Sequence, residues 1–285
     1  MSLILTLLLS SNCALDLHAQ ESPPATTPIP ARVSPQPHAA PAGSSSLQLD
    51  IIGHWDAQLA DVKKVLLSAA QPLWKEFPER DLSPIRVYPR GGPIVFFDRG
   101  DKSEYTLKLS TGGPYWAQYS YQFSHEFCHI LCNYRKGKHP NRWFEEAVCE
   151  MASLYSLRQM GETWKTTPPY PQWNDFAPKL TAYAQELIDE TDRPTDMGSW
   201  FKTHQDRLYV KEDLRDLNRV VAVMMLPMFE ADPSHWRAVA SLNAMHDRGE
   251  LSFEDFLRAW HENAGRKHGP MIESVAKQFG FSIPQ

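Results

Sequence analysis

The 285-residue chain lacks an excess of positive charge, with 29 Lys and Arg against 34 Asp and Glu and a net charge of −5. The charges are interspersed rather than blocked, so neither nucleic acid nor an anionic membrane surface is an expected partner. It also lacks an apolar run long enough to cross a bilayer, since the Ser-Leu-Ile-Leu-Thr-Leu-Leu-Leu stretch at residues 2–9 is too brief to span. No internal repeat is evident. Cysteine is scarce, at four residues, which excludes a small disulfide-held scaffold.

Two of these absences shape the N-terminal reading. The run at 2–9 suits the core of a signal peptide although no Lys or Arg precedes it, and residues 1–19 are expected to be a cleaved leader. Residues 20–47 are rich in Pro, Ala and Ser and almost free of large apolar side chains. Such a segment cannot bury enough surface to offset the entropy of ordering, so it is expected to be a linker. Residues 48–285 remain as one catalytic-sized unit, secreted or periplasmic. A lipid anchor on Cys13 is the lesser alternative, because Ser10-Ser11-Asn12 is a poor lipobox. No stable membrane insertion is expected once the leader is removed.

What the chain does have is Ser124-His125-Glu126-Phe127-Cys128-His129-Ile130, an HExxH pentad in a helical pattern. At about 3.6 residues per turn, His125 and His129 lie one turn apart on one face, where two imidazoles can grip one metal ion beside Glu126. Phe123, Phe127, Ile130, Leu131 and Tyr134 form an apolar stripe nearly opposite. One face packs and the other faces a cleft. A buried helix holding two hydrogen-bonded histidines is the competing reading, and a third donor at workable spacing decides between them. Candidates are His139, Glu145, Glu146 and Glu150. The last three sit on a second expected helix, opened by Asn141 as N-cap and carrying Trp143, Phe144, Ala147, Val148 and Met151.

Trp143-Phe144-Glu145-Glu146-Ala147 resembles the Trp-x-x-Glu-Gly/Ala segment of gluzincin metallopeptidases, in which a second helix supplies a glutamate as third zinc ligand. That resemblance makes Glu146 the ligand. Glu146-Ala147-Val148-Cys149-Glu150 looks like the family's Glu-Ala-x-x-Asp pattern with Glu in the last place, so Glu150 is expected to support a ligand histidine. Helical spacing agrees, since residues at i and i+4 share a face. Glu145 points about 100 degrees away and is the weaker ligand candidate. The resemblance covers Tyr119 to Glu150. A metzincin would need a histidine where Arg135 stands, and there is no Gly-Ala-Met-Glu-Asn segment of the kind aminopeptidases of this clan use.

The resemblance implies one Zn²⁺ held by His125, His129 and Glu146, with Glu126 as general base, and hence an exported zinc peptidase acting on a peptide or protein. A non-catalytic metal-binding protein on the same scaffold, or a zinc amidase acting on a non-peptide substrate, is the alternative. Tyr134, His139, Tyr155, Tyr170, His204 and Tyr209 are candidates for stabilising the oxyanion, with Tyr209 and His204 favoured by the family's spacing.

The expected fold class is α+β. A helix spans roughly 55–77, and strands at 85–90, 94–99 and 105–110 form a small mixed sheet whose edge borders the pentad helix. A mainly helical lobe follows, with helices at 176–188, 214–229, 235–246, 253–261 and 271–279, the fourth capped by Ser252. Cys128, Cys132 and Cys149 read as small buried apolar residues. A disulfide between Cys132 and Cys149 is the alternative.

Overall fold

The structure, a computed structural model, describes residues 46–137, 139–244 and 251–283. The expected leader and nearly all of the expected linker lie outside the described residues. The fold is α+β, a four-stranded mixed sheet followed by a mainly helical lobe.

The sheet order is β1-β2-β4-β3, with β1 at Leu49–Ile51, β2 at Ile85–Pro89, β3 at Ile94–Val95 and β4 at Tyr105–Leu109. β1, β2 and β4 run parallel, in a register that sets Leu49 beside Ile85 and Val87 beside Leu107. Parallel neighbours need a crossover, and helix α1, Leu59–Trp74, supplies it between β1 and β2. Alternation puts Ile85, Val87, Leu107 and Leu109 fully inside. β3 pairs antiparallel with β4 at the sheet edge, Val95 beside Leu107.

The pentad lies in α2, Trp116–Leu131, and the carboxylate-rich segment in α3, Arg142–Trp164. Phe123, Phe127, Ile130 and Leu131 are fully buried, as the stripe predicts, and Phe127 meets Trp74 of α1 and stacks on Phe123. α3 is buried along nearly its whole length, packing on α1, α2, α4 (Ala177–Asp189) and α6 (Arg215–Ala231). At the α3–α4 crossing a side chain on Gly161 would stand 2.1 Å from Thr181 Oγ1, so only glycine lets the two helices approach this closely.

The remaining helices are α5 (Met197–Val210), α7 (Phe253–Asn263) and α8 (Gly269–Gln278), with 3₁₀ segments at Pro171–Phe176 and Pro233–Ser241. An aromatic cluster fastens the start of α3 to this lobe. The Phe253 ring lies 4.7 Å from Trp143, 5.2 Å from Phe144, and 5.0 Å from both Phe201 and Phe279. Aromatic pairs at such spacing add about 0.5–1.5 kcal/mol each beyond the area they bury. The helix bearing three carboxylates is therefore pinned at the end where they sit.

Three expectations need correction. Asn141 stands at the N-cap position of α3 without capping it: its Nδ2 donates to the Leu251 carbonyl at 2.8 Å, and its Oδ1 meets no backbone N–H of the helix among the described residues. The segment expected as an α-helix at 235–246 is 3₁₀ over Pro233–Ser241, and residues 245–246 lie outside the described ones. The middle strand ends at Val95, well short of residue 99. No described helix is long and apolar enough to cross a membrane.

Candidate metal centre

α2 and α3 face each other so that the two imidazoles of one meet three carboxylates of the other. His125 Nε2 lies 3.1 Å from Glu146 Oε2, and His129 Nε2 lies 3.5 Å from Glu146 Oε1. The donor atoms of His125, His129 and Glu146 all fall within 4.8 Å of one another. A zinc-type ion about 2.0 Å from each of three donors needs separations of about 3.3 Å, and the two histidine–Glu146 distances lie close to that value. Two imidazoles and a carboxylate are also the donor chemistry of such an ion.

The far nitrogens each face a carboxylate, one at hydrogen-bond distance and one beyond it. His129 Nδ1 lies 2.6 Å from Glu145 Oε1, and His125 Nδ1 lies 3.9 Å from Glu150 Oε2. Both Nε2 atoms thereby point at Glu146. Around α3, Glu145 lies about 100 degrees to one side of Glu146 and Glu150 about 40 degrees to the other, so the two outer carboxylates bracket the central one. Each reaches the outer nitrogen of a different histidine.

These orienting groups are themselves fixed. Glu150, 1% exposed, accepts from the Tyr121 hydroxyl at 2.6 Å and from Arg219 Nε of α6 at 2.7 Å. Glu145 Oε2 accepts from Asn243 Nδ2 at 2.7 Å, and that amide also donates to the Cys132 carbonyl. Glu126, the buried acid between the histidines, accepts at Oε2 from the backbone N–H of Val95 at 2.7 Å. Edge strand β3 thus holds the carboxylate that the pentad places beside the ion position.

Electrostatics follow from this crowding. Burial works against the charge on Glu146, yet the imidazoles of His129 and His125 hold its carboxyl down at about 2. Burial likewise opposes a charged His129, and the carboxylates of Glu146, Glu145 and Glu126 outweigh it, raising the ring to about 10. Glu126 moves the other way. Burial pushes it above the usual carboxylate range, against the pull of the two histidines. Burial disfavours the charge on Glu150 too, but Arg219 and His125 keep it below its ordinary value.

The expected residues do not all converge. Tyr209 of α5 packs on Phe201, with 6.3 Å between ring centres, on the aromatic cluster behind Trp143. No described contact joins it to the His–Glu cluster. His204 stacks beside Trp200, Tyr155 beside Trp236, Tyr170 beside Trp173, and His139 on Phe256. Tyr134 is the nearest of the six, its ring 6.4 Å from that of His129, and its hydroxyl donates to the Phe96 carbonyl. Tyr121, one turn before His125 on α2, is buried and holds Glu150.

Sequence reasoning missed the Glu145–His129 pair, Asn243, Arg219 and the Val95 amide. Glu145 carried a signal, its place on the flank of Glu146, but was weighed only as a rival for the ion. The others are far from their partners in sequence, 98 residues for Asn243, 69 for Arg219 and 31 for Val95, and nothing local marks them. Compared with known proteins, the chain matches no family model, no curated protein and no solved structure.

Proposed function

We propose that this chain is a zinc-dependent peptidase of the gluzincin type, holding the ion with His125, His129 and Glu146 and acting on a peptide or protein substrate. The observation that carries the reading is the constellation itself, two Nε2 atoms aimed at one carboxylate with a buried, amide-anchored Glu126 beside them. A structural pair of histidines has no use for that acid. An ion bound there supplies a Lewis acid that polarises a carbonyl oxygen and lowers the pKa of water toward about 7.

The protein's own part is to hold and move the proton. With Oε2 of Glu126 fixed by Val95 N–H, Oε1 is the oxygen that accepts a proton and later returns it to the leaving amine. Its raised pKa suits that exchange, because a carboxylate in the ordinary range is too weak a base near neutrality. Glu145 keeps the His129 imidazole aimed inward, while Glu150 lies 3.9 Å behind His125. Of the six oxyanion candidates, Tyr134 is the one whose ring meets His129, and its hydrogen bond to Phe96 must open before it can serve an oxyanion.

The test is metal analysis and a broad peptide-library digest on wild type and Glu126→Gln. One zinc per chain in both proteins, with cleavage falling about a hundredfold or more in the variant, is the expected result. Metal-free wild type, or undiminished cleavage by the variant, overturns the reading.

A further inference from the structure

The three cysteines near the centre lie closer together than packing alone requires. Cys128 is on α2, Cys132 directly follows that helix, and Cys149 is on α3; all three are free and fully buried. The sulfurs of Cys128 and Cys132 are 3.9 Å apart, and all three fall within 4.8 Å of one another. Three small apolar residues could fill this volume with their ends pointing apart. Here one turn of α2 and one position of α3 bring three sulfurs to a common point.

We infer that Cys128, Cys132 and Cys149 form a second metal site, distinct from the His–Glu centre, for a soft monovalent ion of the copper(I) kind. The donor set argues for the ion. A structural zinc is almost always four-coordinate, and the oxygens near the sulfurs are already committed: the Val148 carbonyl, 3.9 Å from Cys128 Sγ, belongs to the backbone of α3, and those of Glu145 are engaged by His129 Nδ1 at 2.6 Å and Asn243 Nδ2 at 2.7 Å. Three sulfurs with no uncommitted fourth donor beside them among the described residues suit copper(I), which thiolates select and which accepts three-coordination. Binding involves no change of oxidation state. The ion displaces thiol protons, which pass to solvent.

The surroundings also bear on charge. The Arg80 guanidinium donates to the carbonyls of Ile130 at 2.8 Å and Leu131 at 2.7 Å, placing a cation at the end of α2 where Cys132 begins the turn. That charge opposes the negative charge a thiolate cluster would gather. Cys149 also lies within 4.8 Å of the donors of His129 and Glu145, so the two centres adjoin across one pair of side chains. Full burial means the ion enters while the chain folds.

The full chain, reduced and anaerobic, is refolded with one equivalent of zinc and then with copper(I) titrated against a chromophoric copper(I) chelator. The expected result is one copper per chain beyond the zinc, a thiolate-to-copper band in the near ultraviolet, and only sulfur neighbours by X-ray absorption. Cys132→Ala and Cys149→Ala should each weaken copper binding by about a hundredfold or more, since even the loss of an outer contact to a ligand costs about 10–100-fold. Serine replacements, checked for folding by circular dichroism, serve where an alanine variant does not fold. The inference is overturned if copper uptake equals that of the triple serine variant, if the neighbours are nitrogen or oxygen, or if thiol counting finds two of the three cysteines joined in a disulfide. Zinc content and peptide cleavage are read separately, so failure here is distinguishable from failure of the peptidase reading.

Discussion

Glu145 occupies the position a reader of the sequence is most tempted to make a rival of Glu146, and its contacts give it different work. It fixes His129 from behind while Asn243 fixes it in turn. Glu145→Gln keeps the shape but offers one acceptor oxygen to two donors, so His129 and Asn243 cannot both keep their partner, and metal affinity should fall about 10–100-fold with little loss of fold. Competition against a chromophoric chelator measures this, and unchanged affinity would show that His129 is aimed by packing alone. At this scale much was legible. Spacing of four residues on each helix placed His125 with His129 and Glu146 with Glu150, and the structure brings all four together. The groups that fix them were not legible, because Arg219 and Asn243 reach them only through tertiary packing. Tyr209 shows the reverse limit, a spacing carried over from a family without the packing that decides where the residue lands.

Among the elements, α7 shows a cap whose chemistry is complete. Ser252 Oγ accepts from the Asp255 amide at 3.1 Å and donates to the Asp255 carboxylate at 2.7 Å, satisfying a backbone N–H that the helix leaves unpaired. Phe253 and Phe256, the first residues this cap sets in place, meet Phe144 of α3. Ser252→Ala should cost about 1 kcal/mol of stability, read as a shift in the urea midpoint; a shift near zero would mean that the aromatic contacts alone fix this end. Ser252 was readable because its signature is local and its helix strongly amphipathic. α5 escaped notice for the opposite reason, since only Met197, Phe201 and Leu208 of its fourteen residues are buried and the periodic signal is faint. β1, three residues long, is too short to carry an alternating pattern. The Pro233–Ser241 segment has helical spacing but begins at a proline under an Asp232 cap, and it takes the tighter 3₁₀ form.

The whole molecule carries a pH sensitivity away from the metal centre. His235 and His268 meet where the 3₁₀ segment touches the start of α8, with ring centres 6.0 Å apart and each Nδ1 without a hydrogen-bond partner among the described residues. Burial depresses both rings below the ordinary histidine value; nearby Lys267 adds to this for each, Asp232 opposes it, and His268 also feels His235 and Arg237. A histidine whose folded pKa is lowered contributes stability that is present above about 6.5 and lost as pH falls through the folded value. The urea midpoint should therefore drop between about pH 7.5 and about pH 5.5, and drop less in His235→Gln/His268→Gln. An equal drop in both proteins would assign the acid sensitivity elsewhere. The metal centre divides differently along the chain. His125, His129, Glu146 and both carboxylates behind the histidines lie between His125 and Glu150, so gathering them closes only a short loop and costs little chain entropy. Glu126 is different, because its anchor is Val95, 31 residues upstream on the far edge of a sheet. The candidate metal cluster is thus a property of one helical hairpin, whereas the placement of Glu126 belongs to the complete fold. A chain that has begun to come apart at the sheet would keep the His–Glu cluster together after Glu126 had lost its anchor.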